Sequence, residues 1–358
     1  MRIKLLFLFF LCLNLINSRK DFLSLLGAAD SLKEAFAGKF KVGTALGPIE
    51  LNAARNHLIK HFNSVTPANE LKPDAIISQS ASQQMGNNVN TQVNFGSGLR
   101  ELFKFCIDNK ISLRGHTFCW HSQTPDWFFR QNFQNNGNYV SKDIMNQRLE
   151  NLIKNTFALF AKDFPELDLY AYDVCNEVFM NGGGGLRGPN ESKWMQIYGD
   201  DSYIFNAFAY ARKYAPQKCK LYLNDFNEYM PDKTKNIYDM ALRLKQEGTI
   251  DGIGMQSHLD VSYPSAKLYE SAIEKFISTG LDVQITELDI TTDNEDAQAS
   301  LYKEIFNIAL KNAEHISAVV LWGTQDANSW RRNKNPLPFS NNYAPKKAYY
   351  SIMQVAGA

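Results

Sequence analysis

The chain has 358 residues, 44% hydrophobic and 21% charged, with 24 Phe, 16 Tyr and 5 Trp. That balance suits a well-cored globular protein, and the length suits one large domain or two average ones. Net charge is +1 with no basic block, which argues against a polyanion such as nucleic acid and favours a neutral substrate.

The first element is apolar. Arg2 and Lys4 flank the start of the run Leu5–Leu13, which trails into Asn14-Leu15-Ile16 and the small residue Ser18. A basic start, a short apolar stretch and a small residue make a secretory signal. The run falls short of the roughly 20 apolar residues that span a bilayer. Residues 1–18 are therefore read as a signal peptide and 19–358 as one secreted domain, the alternative being a buried N-terminal helix. Nothing later is long and apolar enough for a membrane helix. Losing Arg2 and Lys4 moves the net charge only slightly below zero.

Short apolar runs then alternate with helical patterns. The runs are Phe40–Leu46, Phe62–Thr66, Ile111–Phe118, Leu169–Val174, Leu221–Phe226, Ile250–Met255, Leu281–Ile285 and Ile316–Trp322. Their Val, Ile, Leu and aromatic content fits buried parallel strands. Between them, Ser141 can cap a helix over Ser141–Lys162, where Ile144, Met145, Leu149, Leu152, Ile153, Leu159 and Phe160 recur at helical spacing. Lys235–Gln246, Ala266–Ser278 and Ala297–Ala313 read as further helices. Eight such steps predict an α/β fold of the (β/α)8 TIM-barrel type in a single domain, with an open doubly wound sheet as the alternative. Gln79–Gly98, rich in Ser, Gln, Asn and Gly, reads as a loop. So does Asn181–Asn190 with its four consecutive glycines, either over the site or as a surface insertion. No phosphate-loop Lys-Ser/Thr follows those glycines.

Beyond Cys12, the chain has Cys106, Cys119, Cys175 and Cys219. None forms a CxxC pair, and buried thiols are the simpler reading. One bridge remains compatible with an oxidising compartment.

Polar and aromatic residues gather at the ends of the runs. The second leads into Thr66-Pro67-Ala68-Asn69-Glu70-Leu71-Lys72, and the third ends in Gly115-His116-Thr117-Phe118-Cys119-Trp120-His121-Ser122-Gln123. The fourth gives Asp173-Val174-Cys175-Asn176-Glu177, the fifth Asn224-Asp225, and the sixth Gln256-Ser257-His258. The seventh gives Thr286-Glu287-Leu288-Asp289, and the eighth Trp322-Gly323 with Trp330-Arg331 soon after. In a barrel these ends share the face where active sites form. Glu177 and Glu287 would then lie nearly across the mouth from each other. Two opposed carboxyls suit glycoside hydrolysis, one donating a proton and one attacking or activating water. The same pair can hold a metal or make structural salt bridges. Asp289 can share a strand face with Glu287, and His258 can hydrogen-bond either one and help keep Glu287 ionised. Trp120, Trp322 and Trp330 offer flat faces for sugar rings. His116, His121, His258 and Asp289 match no metal motif such as HExxH.

Taken together, the segments FNSVTPANELK, LRGHTFCWHSQTPDW, DVCNE, GIGMQSH, ITELD and LWG…SWR closely resemble glycoside hydrolase family 10, the barrel-type endo-β-1,4-xylanases. The resemblance runs from about Ala29 to Val355. It implies Glu177 as acid/base, Glu287 as nucleophile and a retaining mechanism without cofactor or metal. It implies that Asn176 binds the hydroxyl beside the reacting carbon and that His258 and Asp289 orient the nucleophile. Asn69, Lys72, His116, Trp120 and Gln123 match residues lining the glycone side, and Gln256, Trp322 and Trp330 further cleft positions. The implied partner is xylan or a xylo-oligosaccharide; the N-terminal segment makes secretion the expectation, and nothing in the sequence demands more than a monomer. Rival readings are a β-1,4-glucanase and a catalytically inactive carbohydrate-binding barrel.

The chain departs from the family pattern at Ala68, where Glu is common, at Pro73, where Trp is frequent, at Phe226, where Tyr is frequent, and in the Gly182–Gly185 loop. Losing the Glu weakens a sugar contact by about 1–3 kcal/mol if the hydrogen bond goes unreplaced.

Overall fold

In the computed structural model, residues 29–182 and 185–357 are described. The leader expected over residues 1–18 lies outside them. Nine strands run along this part of the chain: β1 (Lys41–Leu46), β2 (Ser64–Pro67), β3 (Ser112–Trp120), β4 (Leu169–Asn176), β5 (Lys220–Asp225), β6 (Gly252–Met255), β7 (His258–Asp260), β8 (Asp282–Thr291) and β9 (Ile316–Leu321). Every pairing between them is parallel. β1 pairs with both β2 and β9, and β6 pairs with β8, so eight strands close on themselves. β7 stays outside that circuit and pairs with the distal half of β8, His258 opposite Asp289. The closed (β/α)8 barrel is thus the observed fold, and the open sheet is excluded.

The outer ring consists of amphipathic helices, among them Leu51–His61, Lys142–Asp163, Pro231–Gln246, Ala266–Ile277 and Glu295–Lys311. Their starts follow local chemistry. Ser141 Oγ accepts from Ile144 N at 3.4 Å, Ser265 Oγ from Leu268 N at 3.3 Å, and Asn294 Oδ1 from Asp296 N at 3.0 Å. Each cap satisfies an otherwise orphaned amide and is worth about 1 kcal/mol. Pro231 opens its helix at a position that needs no amide donor. Leu149, Leu152, Ile153 and Phe160 are buried on the inner face of the longest helix, as their spacing predicts.

The barrel interior is not uniformly apolar. Arg114 on β3 and Asp173 on β4 are fully buried and paired, with Arg114 Nη2 2.6 Å from Asp173 Oδ1. Arg114 Nε also donates to Gln284 Oε1 at 2.8 Å, and Gln284 Nε2 to Tyr222 OH at 2.9 Å. Every member has a partner, which a buried polar layer requires. Removing one partner of such an ion pair costs about 3–5 kcal/mol.

Several expectations change. The seventh run extends well beyond Ile285, so Glu287 and Asp289 lie within β8. Its pairing with β9 shifts register between Ile285 and Leu288. The expected loop Gln79–Gly98 contains a helix, Gln79–Gln84, capped by Ser78. Its polar composition hid the helix because its apolar face is small, only Ser82 being buried. The glycine segment is framed by a hairpin: Met180 N donates to Gly185 O and Arg187 N to Val178 O, both at 2.9 Å. Cys106, Cys119, Cys175 and Cys219 are free and buried, as thiols. Among the described residues no helix is long and apolar enough to cross a membrane.

Candidate active site

The strand ends converge on a cleft of about 740 Å³. Asn69, Lys72, His116, Trp120, Gln123, Asn176, Glu177, Gln256, His258, Glu287, Trp322 and Trp330 all line it. Asp289 does not. It lies fully buried behind His258. His121 sits to the side in a small recess against Glu177.

Glu287 is almost completely buried on β8. Its Oε1 accepts from Asn224 Nδ2 at 2.8 Å, and its Oε2 lies 3.2 Å from His258 Nε2. Burial pushes this carboxyl up, but the His258 hydrogen bond and the electrostatic influence of the neighbouring His116 and His258 rings outweigh it and hold it below its usual range. His258 is the counterpart. Burial disfavours its cation, but Asp289, 3.1 Å from Nδ1, together with Glu287 lifts it to about 10. The imidazolium therefore stands between two carboxylates. Asp289 is fixed in turn by Trp330 Nε1 at 2.9 Å and Arg331 Nη1 at 2.7 Å.

Glu177 follows β4 with a left-handed backbone, φ 54°. Such a φ costs a non-glycine residue roughly 1–2 kcal/mol, and the surroundings impose it. Its amide donates to Asn224 O at 2.9 Å, and its carbonyl accepts from Arg187 Nε at 2.6 Å. Gln256 Nε2 donates to its Oε1 at 3.1 Å. Near Oε2 stand His121 Nδ1 and Arg187 Nη2, each 3.9 Å away. Burial lowers His121 to about 4, so its ring is neutral there.

The two carboxylates are joined by amides. Asn176 Oδ1 accepts from Gln256 Nε2 at 3.1 Å and from Asn224 Nδ2 at 2.8 Å. The oxygen of Asn176 is thereby occupied, and among the described residues its Nδ2 has no hydrogen-bond partner. Asn224 also accepts from Thr286 Oγ1 at 2.7 Å, which fixes its amide orientation. Gly254 makes room for it, since a Cβ there would come 2.3 Å from Asn224 Oδ1.

Along the cleft, Lys72 Nζ donates to Asn69 Oδ1 and Gln123 Oε1, both at 2.8 Å, and lies 4.7 Å from the Trp120 ring centre. His116 is oriented by Asp173, 2.8 Å from its Nδ1. That leaves Nε2 for the cleft. Trp322 packs edge-on to His116 with ring centres 5.6 Å apart, and Trp330 is 64% exposed at the rim. Ala68 and Phe226 line the same cleft, together with the carboxylates Glu50 and Glu70. Pro73 opens the short helix Pro73–Ile76 beside it.

Sequence reasoning placed Asn224 and Arg331 among the strand-end residues without giving them a role, and did not name Arg187. Asn224 carried the available signal, a polar residue ending an apolar run. Arg187 and Arg331 sit in irregular segments, where spacing carries no information about partners.

Comparison with known proteins matches the glycosyl hydrolase family 10 model to residues 31–355. The bifunctional endo-1,4-beta-xylanase XylA of Ruminococcus flavefaciens is 61% identical over 330 residues, covering 92% of this chain and 34% of that protein. Endo-1,4-beta-xylanase Y of Acetivibrio thermocellus is 43% identical, covering 90% of this chain and 32% of its own length. The chain thus spans about a third of these two relatives. Among solved structures, the CBM22-1–GH10 modules of Clostridium thermocellum xylanase 10B, complexed with xylohexaose, superpose with a TM-score of 0.86 at 42% identity. That match covers 92% of this chain and 68% of the other.

Proposed function

The chain belongs to glycosyl hydrolase family 10, and from that premise we propose that it is an endo-β-1,4-xylanase, cleaving internal bonds of xylan by a retaining, two-step mechanism. The observation that carries this reading is the carboxyl pair, Glu177 and Glu287, facing one cleft and joined by Asn176, Asn224 and Gln256. The names of the relatives support the substrate class.

The two environments suggest the roles. Glu287 is kept ionised by His258 and Asn224, which suits a nucleophile. Glu177 takes a neutral amide donor on Oε1, and no hydrogen bond from the described residues reaches its Oε2, which faces the cleft beside Arg187 and His121. In the first step Glu177 protonates the departing glycosidic oxygen as Glu287 attacks the anomeric carbon and forms a glycosyl ester. In the second, Glu177 takes a proton from water, whose oxygen displaces Glu287. The free Nδ2 of Asn176 donates to the hydroxyl beside the reacting carbon. Lys72, Asn69, Gln123 and His116 bind glycone hydroxyls, and Trp120, Trp322 and Trp330 meet sugar faces. His258 and Asp289 orient the nucleophile. Residues 1–18 direct secretion, and the enzyme acts as a monomer.

Reducing-sugar release from xylan, set against carboxymethylcellulose, tests the substrate class. Preference for the cellulose derivative would replace this reading with the glucanase one. Glu177→Ala and Glu287→Ala are each expected to lower xylan cleavage by about 10³-fold or more with the fold intact. Wild-type turnover by both would sink the role assignment. NMR should show the β-anomer forming first.

A further inference from the structure

Between the residues that touch the two carboxylates lies one that touches neither. Ser257 separates Gln256, which donates to Glu177, from His258, which faces Glu287. It holds a left-handed φ of 62°, unfavourable for a side-chain-bearing residue. Something must impose it. The Ser257 hydroxyl lies 2.9 Å from Glu228 Oε1 and 2.6 Å from Tyr269 OH. Its carbonyl accepts from Asp289 N at 3.3 Å. Ser257, Glu228 and Tyr269 are all fully buried. The partners come from different elements, Glu228 from the segment after β5 and Tyr269 from the helix Ala266–Ile277.

Glu228 is an expensive residue to keep there. A buried carboxyl with a single side-chain hydrogen bond is costlier than an apolar replacement. Its Oε2 has no hydrogen-bond partner among the described residues. It makes no contact with the cleft, and the chemistry above does not use it. The charged groups facing it are His258 and Lys233, with the phenols of Tyr229 and Tyr269 alongside. The Ser257 proton has two acceptors in reach, Glu228 Oε1 at 2.9 Å and Met255 O at 3.3 Å, and with the proton on the nearer one Tyr269 donates to Ser257.

We propose that Glu228, Ser257 and Tyr269 form a buried clamp that fixes the angle between Gln256 and His258, and so aligns both carboxylates from one point. Glu228 is its positioning residue. The clamp rests on the reading of Glu177 and Glu287 as the reacting pair.

Kinetics on xylohexaose and ¹⁵N NMR of His258 in the substrate-free protein test it together. Glu228→Leu removes the acceptor for Ser257. It should lower kcat about tenfold while KM changes less than about twofold, and should shift the His258 ring signals. Glu228→Gln still offers an oxygen to Ser257, so it should recover most of the lost kcat and return the His258 signals towards wild type. Tyr269→Phe deletes one hydroxyl. Should the leucine variant not fold, it carries the same test through a smaller loss, about threefold in kcat. Equal losses in the leucine and glutamine variants would overturn the clamp. So would wild-type kcat and unmoved His258 signals in folded Glu228→Leu or, failing that, in Tyr269→Phe. If wild-type protein leaves xylohexaose intact, the proposed function fails, while the His258 spectra still decide the clamp.

Discussion

His258 presents one ring nitrogen to Glu287 and the other to Asp289. The imidazolium offsets the burial of Glu287, so its replacement carries a defined sign. His258→Asn removes the cation and leaves desolvation to raise the Glu287 carboxyl. The acid limb of kcat/KM should then move to higher pH, with kcat down by about 10²-fold at the optimum. An acid limb unmoved from wild type would show that His258 does not hold Glu287 ionised. At this scale the sequence was informative where a polar residue interrupts an apolar run, as at Glu177, His258 and Glu287. It was silent on direction. That Asn176 turns its oxygen inwards and its nitrogen outwards depends on Asn224 and Gln256, which are distant in sequence.

The hairpin from Val178 to Arg187 shows what a single element contributes. Its four glycines suggested a loop over the site or a surface insertion. Gly183 and Gly184 lie outside the described residues, and the paired backbone on either side of them returns Arg187 to the carbonyl of Glu177. Arg187 therefore supports a left-handed residue that would otherwise relax. Arg187→Met should cut kcat on xylan about tenfold, yet cost much less on an aryl xyloside whose nitrophenolate leaves without a proton. Equal losses on both substrates would mean that the arginine does not serve proton delivery. Helices were legible where a long apolar face recurred below a cap, as in Lys142–Asp163 below Ser141. The extension of β8 and the short β7 were not. Both depend on pairing His258 against Asp289, a long-range register that local composition does not encode.

Across the whole molecule, closure of the barrel brings the helix Leu51–His61 against the last segment of the chain. His57 and His61 are buried there, with Phe339 4.4 Å and 5.0 Å away between ring centres. Burial lowers His57 to about 4 and His61 to about 3. The unfolded chain binds protons at these sites from about pH 6.5 downward. The stability they confer is thus complete above that pH and is lost as pH falls through 4 and 3. Asp225 and Glu228 act with opposite sign. Burial raises them to about 6 and about 7, so their contribution declines as pH rises through those values. His57→Leu should narrow the difference in Tm between pH 7 and pH 4 by a few degrees. An unchanged difference would remove His57 from the account of acid unfolding. Eight apolar runs in regular alternation made the barrel itself legible, because parallel strands covered by helices must be apolar along most of their length. Asp173 was visible as a polar residue of the fourth run, but its buried pairing with Arg114 was not.

The position of Trp330 has an optical consequence. It is 64% exposed at the rim of the cleft, whereas Trp194 is buried and Trp120, Trp127 and Trp322 are partly covered. Its indole is also tied to Asp289 and packs near the His258 ring, 5.0 Å between centres. The long-wavelength edge of the intrinsic emission therefore belongs mainly to one indole, the one a sugar ring would cover. Titration with xylo-oligosaccharide should move that emission to the blue in a single saturable step, and Trp330→Phe should abolish the shift. The protein thus carries its own fluorescent reporter of occupancy, readable without turnover.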